Sequence, residues 1–322
     1  MRKTTLLWSL ALVAVIIGCL TITTYYLGRT NKRKLVISTT TSLYDTGLLE
    51  AIEEEFENRY PIDLYVISVG TGQAIEHAKR GDADLIMVHA PPVELDFLTS
   101  GYGVCRKIIA YNFFVIVGPP EDPAGIEGLS ARDALTRIVD TAREGKAFWI
   151  SRGDESGTHL KEKALWVSAG FDLAKIREET WYIQSGTGMG RTLLIADGYT
   201  LSDLGTYLKY YMDKRIGLEI MVSGEEALLN VYSAIAVNPM QVHGVNFEDA
   251  VIFIKFLTSD QCQSLIEDFK KETYGQSLFF PAVTLLREDP NSTVARWIVD
   301  LAFFNGTECP QEYRNDHPEL YG

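Results

Sequence analysis

The chain has 322 residues, of which 46% are hydrophobic and 23% charged. This is a globular composition that excludes a disordered protein and suits one or two domains of ordinary size. Formal net charge is −13, unevenly spread: the first 34 residues hold six of the thirty Lys and Arg and none of the 43 Asp and Glu. The remainder carries 24 positive and 43 negative side chains, net −19, a surface that repels phosphate backbones and argues against nucleic-acid binding. A small anion can still bind such a body where local donors are aimed at it.

Met1-Arg2-Lys3 is a basic start, and residues 6–17 form a nearly unbroken apolar run. Ile16-Ile17-Gly18-Cys19 then reads as a bacterial lipobox, with cleavage before Cys19 and a lipid on its thiol. The competing reading is an uncleaved span over 6–27, roughly the 20 residues that cross a bilayer. Both attach the body to a membrane. Residues 29–34 form a polar linker, and their basic character alone would keep the body in the cytoplasm. The other cysteines, Cys105, Cys262 and Cys309, form no CxxC pair, which argues against a zinc ribbon or a thioredoxin-like motif. Cys262 and Cys309 are either bonded to one another or buried free thiols.

From residue 35 onward, strand-like runs alternate with amphipathic helical ones. Residues 35–38 are a short apolar strand. Leu48, Ile52 and Phe56 recur every four residues and mark one helix face. A β-branched strand over 63–68, a helix over 73–80 and a buried strand over 84–88 follow. Residues 108–117 are strongly strand-like and stop at Gly118-Pro119-Pro120. Ser130-Ala131-Arg132-Asp133 caps a helix to about residue 144. Strands are expected at 146–150, 181–184 and 229–237. Helices are expected at 158–168, from about 189, from 202, at 246–258 and at 260–271. The alternation implies an α/β fold whose mostly parallel sheets carry helices on both faces, in two lobes. Ligands of such sheets bind beyond the carboxyl ends of strands.

Four strand-to-helix junctions stand out. Ser38-Thr39-Thr40-Thr41-Ser42 sets five hydroxyl residues before a helix, where capping needs only one. Ser68-Val69-Gly70-Thr71-Gly72-Gln73 lets backbone N–H groups approach a ligand closely, and alone also suits an ordinary tight turn. Ser151-Arg152-Gly153-Asp154-Glu155-Ser156-Gly157-Thr158-His159 combines a permanent cation with hydroxyls at a helix start. Ser185-Gly186-Thr187-Gly188-Met189-Gly190-Arg191-Thr192 gives GxGxG, neither a dinucleotide fingerprint nor a Walker loop, and reads as an oxyanion nest. Thr200-Leu201-Ser202-Asp203 is a cap for the helix after it. Together the junctions point to a small-anion site built from neutral dipoles, with Arg152 supplying charge.

These motifs resemble one family, the tungstate-binding receptors of Tup-type ABC importers. The match lies in Ser38 to Ser42, Ser68 to Ala74, Tyr111-Asn112, Ser151 to Asp154, Ser156 to His159, Gly188-Met189-Gly190, Tyr199 to Asp203, Leu229 to Tyr232, Val237-Asn238-Pro239 and Tyr274 to Phe279. It spans about residues 35–285. Phe113 and Pro91-Pro92 depart from the family pattern at the cleft rim.

The resemblance implies the two-lobed type II periplasmic-binding fold. It implies an anchor and linker over 1–34, a first lobe from 35–118 and 226–322 with the C-terminal helices, and a second from 119–225. Thr40 and Thr71 would meet the anion from the first lobe, Arg152 and Thr158 from the second. Ser42, Ser68, Gly188, Met189 and Gly190 are further candidates. The implied role is an extracytoplasmic monomeric receptor that passes tungstate, or near-isosteric molybdate, to an ABC permease, with no cofactor. That role turns the body outward despite its basic flank. A phosphate receptor, or an anion sensor without a permease, is the alternative.

The five histidines, His77, His89, His159, His243 and His317, show no metal-binding spacing. They read as structural or exposed, with His159 orienting its loop. An enzyme would need a base poised beside a Ser nucleophile. No GxSxG elbow is present, and His159 has no evident orienting acid.

Overall fold

The computed structural model describes residues 32–154 and 156–321; the apolar run and Cys19 lie outside them. Among the described residues no helix is long and apolar enough to cross a membrane.

The chain opens with β1 (Arg33–Thr40), α1 (Thr41–Thr46) and α2 (Leu48–Glu57). The predicted stripe is the buried face of α2: Leu48, Ile52 and Phe56 are each at most 1% exposed. Then come β2 (Ile62–Val69), α3 (Thr71–Arg80), β3 (Leu85–Val88), α4 (Pro91–Thr99) and the long β4 (Gly103–Gly118). The middle of the chain holds α5 (Ala131–Arg143), β5 (Trp149–Ser151), α6 (Gly157–Ser168) and α7 (Leu173–Ile176). It continues through β6 (Tyr182–Gln184), α8 (Met189–Ile195), β7 (Thr200–Asp203), α9 (Leu204–Met212) and β8 (Glu219–Val222). After β9 (Leu229–Val237) come α10 (Phe247–Leu257), α11 (Asp260–Asp268) and α12 (Lys271–Tyr274). The chain closes with β10 (Phe280–Pro281), α13 (Ala282–Glu288) and α14 (Thr293–Ala302).

The fold class is the expected two-lobed α/β, with one difference in strand direction: the sheets are mixed. In the first, β2, β1 and β3 run parallel, whereas β9, β4 and β10 add antiparallel pairings in the order β10-β4-β9-β3-β1-β2. In the second, β7 and β8 flank the far end of β4 antiparallel, and β5 pairs with β6 in parallel. The cause is β4 itself. Up to Phe113 it pairs with β9, and from Phe114 it pairs with β7. Its neighbours β7, β8 and β9 all run antiparallel to it. A separate apolar core, drawn entirely from Phe114 to Leu228 and centred on Trp149 and Trp166, fills the second lobe.

Ser202 lies in β7 and does not open a helix, because Thr200, Leu201 and Ser202 are buried in register against Val117, Ile116 and Val115. Strand pairing overrides the local capping signal. The cap is one residue later, where Asp203 Oδ1 accepts from Thr206 N at 2.8 Å. Cys105, Cys262 and Cys309 are all buried free thiols.

The C-terminal segment is fastened to β4 chiefly at Glu308, beside a bond from the Tyr321 hydroxyl to the Arg106 carbonyl at 3.0 Å and one from Cys105 Sγ to the Arg314 carbonyl at 3.2 Å. The Glu308 carboxylate accepts from the Ile108 amide and from Lys107 Nζ at 2.7 Å, and its carbonyl accepts from Arg106 Nη1 at 2.6 Å. Breaking a buried ion pair by removing one partner costs a few kcal/mol. Glu308→Ala is therefore expected to lower unfolding stability by about 3 kcal/mol in urea denaturation, and to make residues 303–321 the first segment cut by limited proteolysis.

Candidate anion site

Three helix N-termini converge where the lobes meet. The N-cap residues are Thr40 for α1, Gly70 for α3 and Ser156 for α6. All three line one small cavity, with Thr41, Ser42, Val69 and His89 on the first-lobe side and Arg152, Gly157 and Thr158 on the second. Neither Thr40 nor Gly70 makes a side-chain capping hydrogen bond, so the first-turn amides of α1 and α3 have no side-chain acceptor. The first-turn amides of a helix are orphan donors with positive partial charge, suited to an anion. The cavity measures about 10 Å³ to the centre of a water-sized sphere, room for about one water molecule.

The side chains add hydroxyls and one cation. Thr40 Oγ1 and Ser42 Oγ lie 3.2 Å apart. Ser42 Oγ accepts from the Tyr232 hydroxyl at 3.3 Å, and Asn230 Nδ2 donates to Tyr232 at 2.8 Å and to Asn112 Oδ1 at 2.9 Å. This chain of bonds ties α1 to β4 and β9. Thr71 is wholly buried at the start of α3, and its Oγ1 has no partner among the described residues. A buried hydroxyl without a partner is costly unless something else binds it.

Arg152 follows β5 and is 5% exposed. Its Nη2 and Nε donate to Asp154 Oδ2 at 2.5 and 3.1 Å, and its Nη1 to Thr158 Oγ1 at 3.4 Å. Among the described residues, two of the five guanidinium N–H groups are left without an acceptor. Burial works against the Asp154 charge, but hydrogen bonds from Ser156 and the Arg152 cation outweigh it and hold the carboxyl below its usual range. Deeper in, Asp203 is fully buried, and burial pushes its carboxyl up against the Thr206 bond and the Arg152 charge.

Glu162, on α6, holds the second-lobe half in place. Its buried carboxylate accepts from Trp149 Nε1 at 2.8 Å and Ser151 Oγ at 2.8 Å, both on β5. It also accepts from Tyr182 Oη of β6 at 2.6 Å and Trp166 Nε1 of α6 at 3.3 Å. Burial raises this carboxyl while the four donors oppose the shift. The knot fixes β5, and hence Arg152, relative to α6, and hence Thr158.

The structure thus brings Thr40, Ser42, Arg152 and Thr158 to one cavity, with Thr71 directly after its Gly70 wall. Ser68 lies half-buried in β2 in register with Thr39, and the next two residues form the wall in its place. Gly188, Met189 and Gly190 do not reach the cavity. Gly188 caps α8, Met189 is core, and a Cβ at Gly190 would strike the Tyr210 ring, so this glycine serves helix packing. His89 was read as structural yet forms part of the wall. Its ring lies tilted against Tyr232, with centroids 4.9 Å apart, and burial holds its pKa down to about 4 against a bond with Asn230. The Arg152 and Lys161 charges lower it further. A lone histidine after a strand carries no sequence signal for this; only the Gly157 contact reveals it, because a Cβ there would overlap the ring.

Residues 27–261 match the model of the PBP superfamily domain. The tungstate-binding protein TupA of Peptoclostridium acidaminophilum is 40% identical over 253 residues, 78% of this chain and 86% of the relative. The chain belongs to the TupA family. A solved TupA structure from Desulfovibrio alaskensis G20 has a TM-score of 0.68 at 41% identity, covering 77% of this chain and 98% of that one. The tungstate ABC transporter structure from Geobacter sulfurreducens has a TM-score of 0.65 at 41% identity, covering 73% and 98%. The residues that the superfamily model matches carry all three converging helices, while α13 and α14 lie beyond them.

Two outcomes follow from the local chemistry. Glu162→Ala strands four donors and should cost about 3 kcal/mol in equilibrium unfolding. His89, whose folded pKa of about 4 lies below its ordinary 6.5, binds fewer protons folded than unfolded between those values. Its contribution is complete above pH 6.5 and lost as pH falls toward 4, about 3 kcal/mol in all. His89→Phe should flatten the stability profile in that window, and an unchanged slope would disprove the assignment.

Proposed function

We propose that the chain is the extracytoplasmic receptor of a tungstate importer, closing on the oxyanion between its lobes and delivering it to an ABC permease. The observation that carries this is the convergence of three helix N-termini and one buried guanidinium on a single interlobe cavity, with the buried Thr71 hydroxyl next to its Gly70 wall. Thr40, Ser42 and Thr71 bind from the first lobe, Arg152 and Thr158 from the second. The amides of α1, α3 and α6 complete the cage. Because the cavity holds only about one water, a tetrahedral oxyanion is loaded by separation and reclosure of the lobes.

The lobe division at 118 and 225 is supported by the pairing of β4, which changes partner between Phe113 and Phe114. The second-lobe core over Phe114 to Leu228 supports it too. The body is held to the membrane by its N-terminal segment, through a lipid on Cys19 or an uncleaved span, and works as a monomer. It binds without turnover: Ser156 Oγ is engaged by the His159 amide at 3.3 Å and Ser42 Oγ by Tyr232, so neither serine is paired with a base.

Sulfate is refused by cavity size. Phosphate is refused because its proton needs an acceptor, and the Asp154 carboxylate is already spent on Arg152. Molybdate, nearly isosteric with tungstate, competes.

Calorimetric titration with the four anions tests the reading. Tungstate should bind at nanomolar strength, about −12 kcal/mol, with sulfate and phosphate silent. Arg152→Ala should cost about 2–5 kcal/mol and Thr71→Val about 1–3 kcal/mol, while Gly188→Ala leaves affinity unchanged. Tight phosphate binding without tungstate binding would refute the assignment.

A further inference from the structure

A second cavity lies behind the anion site, on the hinge side, with a volume of about 330 Å³. That is at the low end of the range that holds small organic ligands. His89 and Gly157 line both cavities and form the partition between them. The other walls come from the start of α4 (Pro91), from the crossing strands (Phe114), from α6 (Leu160) and from α14 (Leu301). The lining is overwhelmingly apolar. Leu301 is 38% exposed, so the cavity opens to solvent at that edge. The α14 wall lies beyond the residues matched by the superfamily model.

One charged group faces this space. Lys161 Nζ donates to the Leu229 carbonyl at 3.0 Å, which uses one of its three N–H bonds. Among the described residues no carboxylate pairs with it. Burial alone lowers this amine to about 8, the behaviour of a cation held from water without a counter-charge. His89 Nδ1, also in the lining, is buried and has no partner among the described residues.

We propose that this cavity is a second binding site, for a short-chain aliphatic monocarboxylate. The carboxylate meets the free N–H bonds of Lys161, and the hydrocarbon body lies against Phe114, Leu160 and Leu301. The lining selects against the other candidates by chemistry. An inorganic oxyanion has nothing to offer the apolar walls, and burying it there leaves most of its oxygens unsatisfied. An alcohol of the same length forgoes the charge-assisted bond, which is about twice as strong as a neutral one. An amine sets like charge against Lys161.

Hexanoate, hexanol and hexylamine are the probes, titrated into the full chain by calorimetry and by saturation-transfer NMR. Hexanoate should bind saturably with a Kd below about 1 mM, about tenfold tighter than hexanol, and hexylamine should not bind. Lys161→Gln should remove the hexanoate advantage while leaving hexanol binding in place. Leu301→Trp, which fills the open edge, should abolish both. Thermal unfolding close to that of the parent reports that each variant folds. Absence of saturable hexanoate binding would overturn the site. Equal binding of all three probes would overturn the carboxylate assignment, and hexanoate binding untouched by both substitutions would overturn the location.

Discussion

The candidate anion site rests on the Glu162 carboxylate. Four donors from three elements meet on it inside the second lobe: two from β5, one from β6 and one from α6 itself. Burying a carboxylate is unfavourable unless its lone pairs are filled, and here they are filled by groups that must be correctly placed. Ser151 is bound, so Arg152 begins from a fixed backbone. Glu162 lies one turn inside α6, so the N-terminus of that helix is aimed by the same knot. The two second-lobe contributors to the cavity are thus held relative to each other before any ligand arrives, which is the form preorganisation takes here.

The first lobe supplies its share differently. It contributes hydroxyls, helix amides and the neutral His89 ring to the described lining but no Lys or Arg, and its hydroxyl pair Thr40 and Ser42 is braced through Tyr232 and Asn230 to the crossing strands. That brace makes the cleft and the hinge one hydrogen-bonded unit. It also explains how a body with net charge −19 beyond residue 34 accommodates an anion: the long-range field is unfavourable, but the donors within bonding distance are local and shielded from water.

Much of this was legible in the sequence, and the exceptions have physical reasons. Junctions such as Ser38 to Ser42 and Ser151 to Thr158 announce themselves because hydroxyls, Gly and Arg before a helix have few purposes besides capping and anion contact. The periodicity of Leu48, Ile52 and Phe56 identified α2 because a helix packed on one sheet needs only one apolar stripe. The Gly188–Gly190 run carries the same local signal but serves helix packing, since a glycine that admits a ligand and one that admits Tyr210 are alike in one dimension. Ser202 misled because β7 exists only through pairing with β4. His89 was invisible as a wall residue, for its position depends on the absence of a side chain at Gly157, far along the chain. Glu308 was equally silent: nothing marks an isolated glutamate as the fastening of a C-terminal segment.

The unbroken course of β4 through both sheets has a mechanical consequence. Its sixteen residues are hydrogen-bonded to β9 along one half and to β7 and β8 along the other, with register shifts near both Val104 and Ile116. Bulges let a strand bend and coil more sharply without losing its neighbours. The connection between the lobes therefore behaves as a leaf spring and not as a loose tether. Under the proposed opening of the lobes, such a strand would bend rather than slide, and Arg152 would return to the same place opposite Thr40.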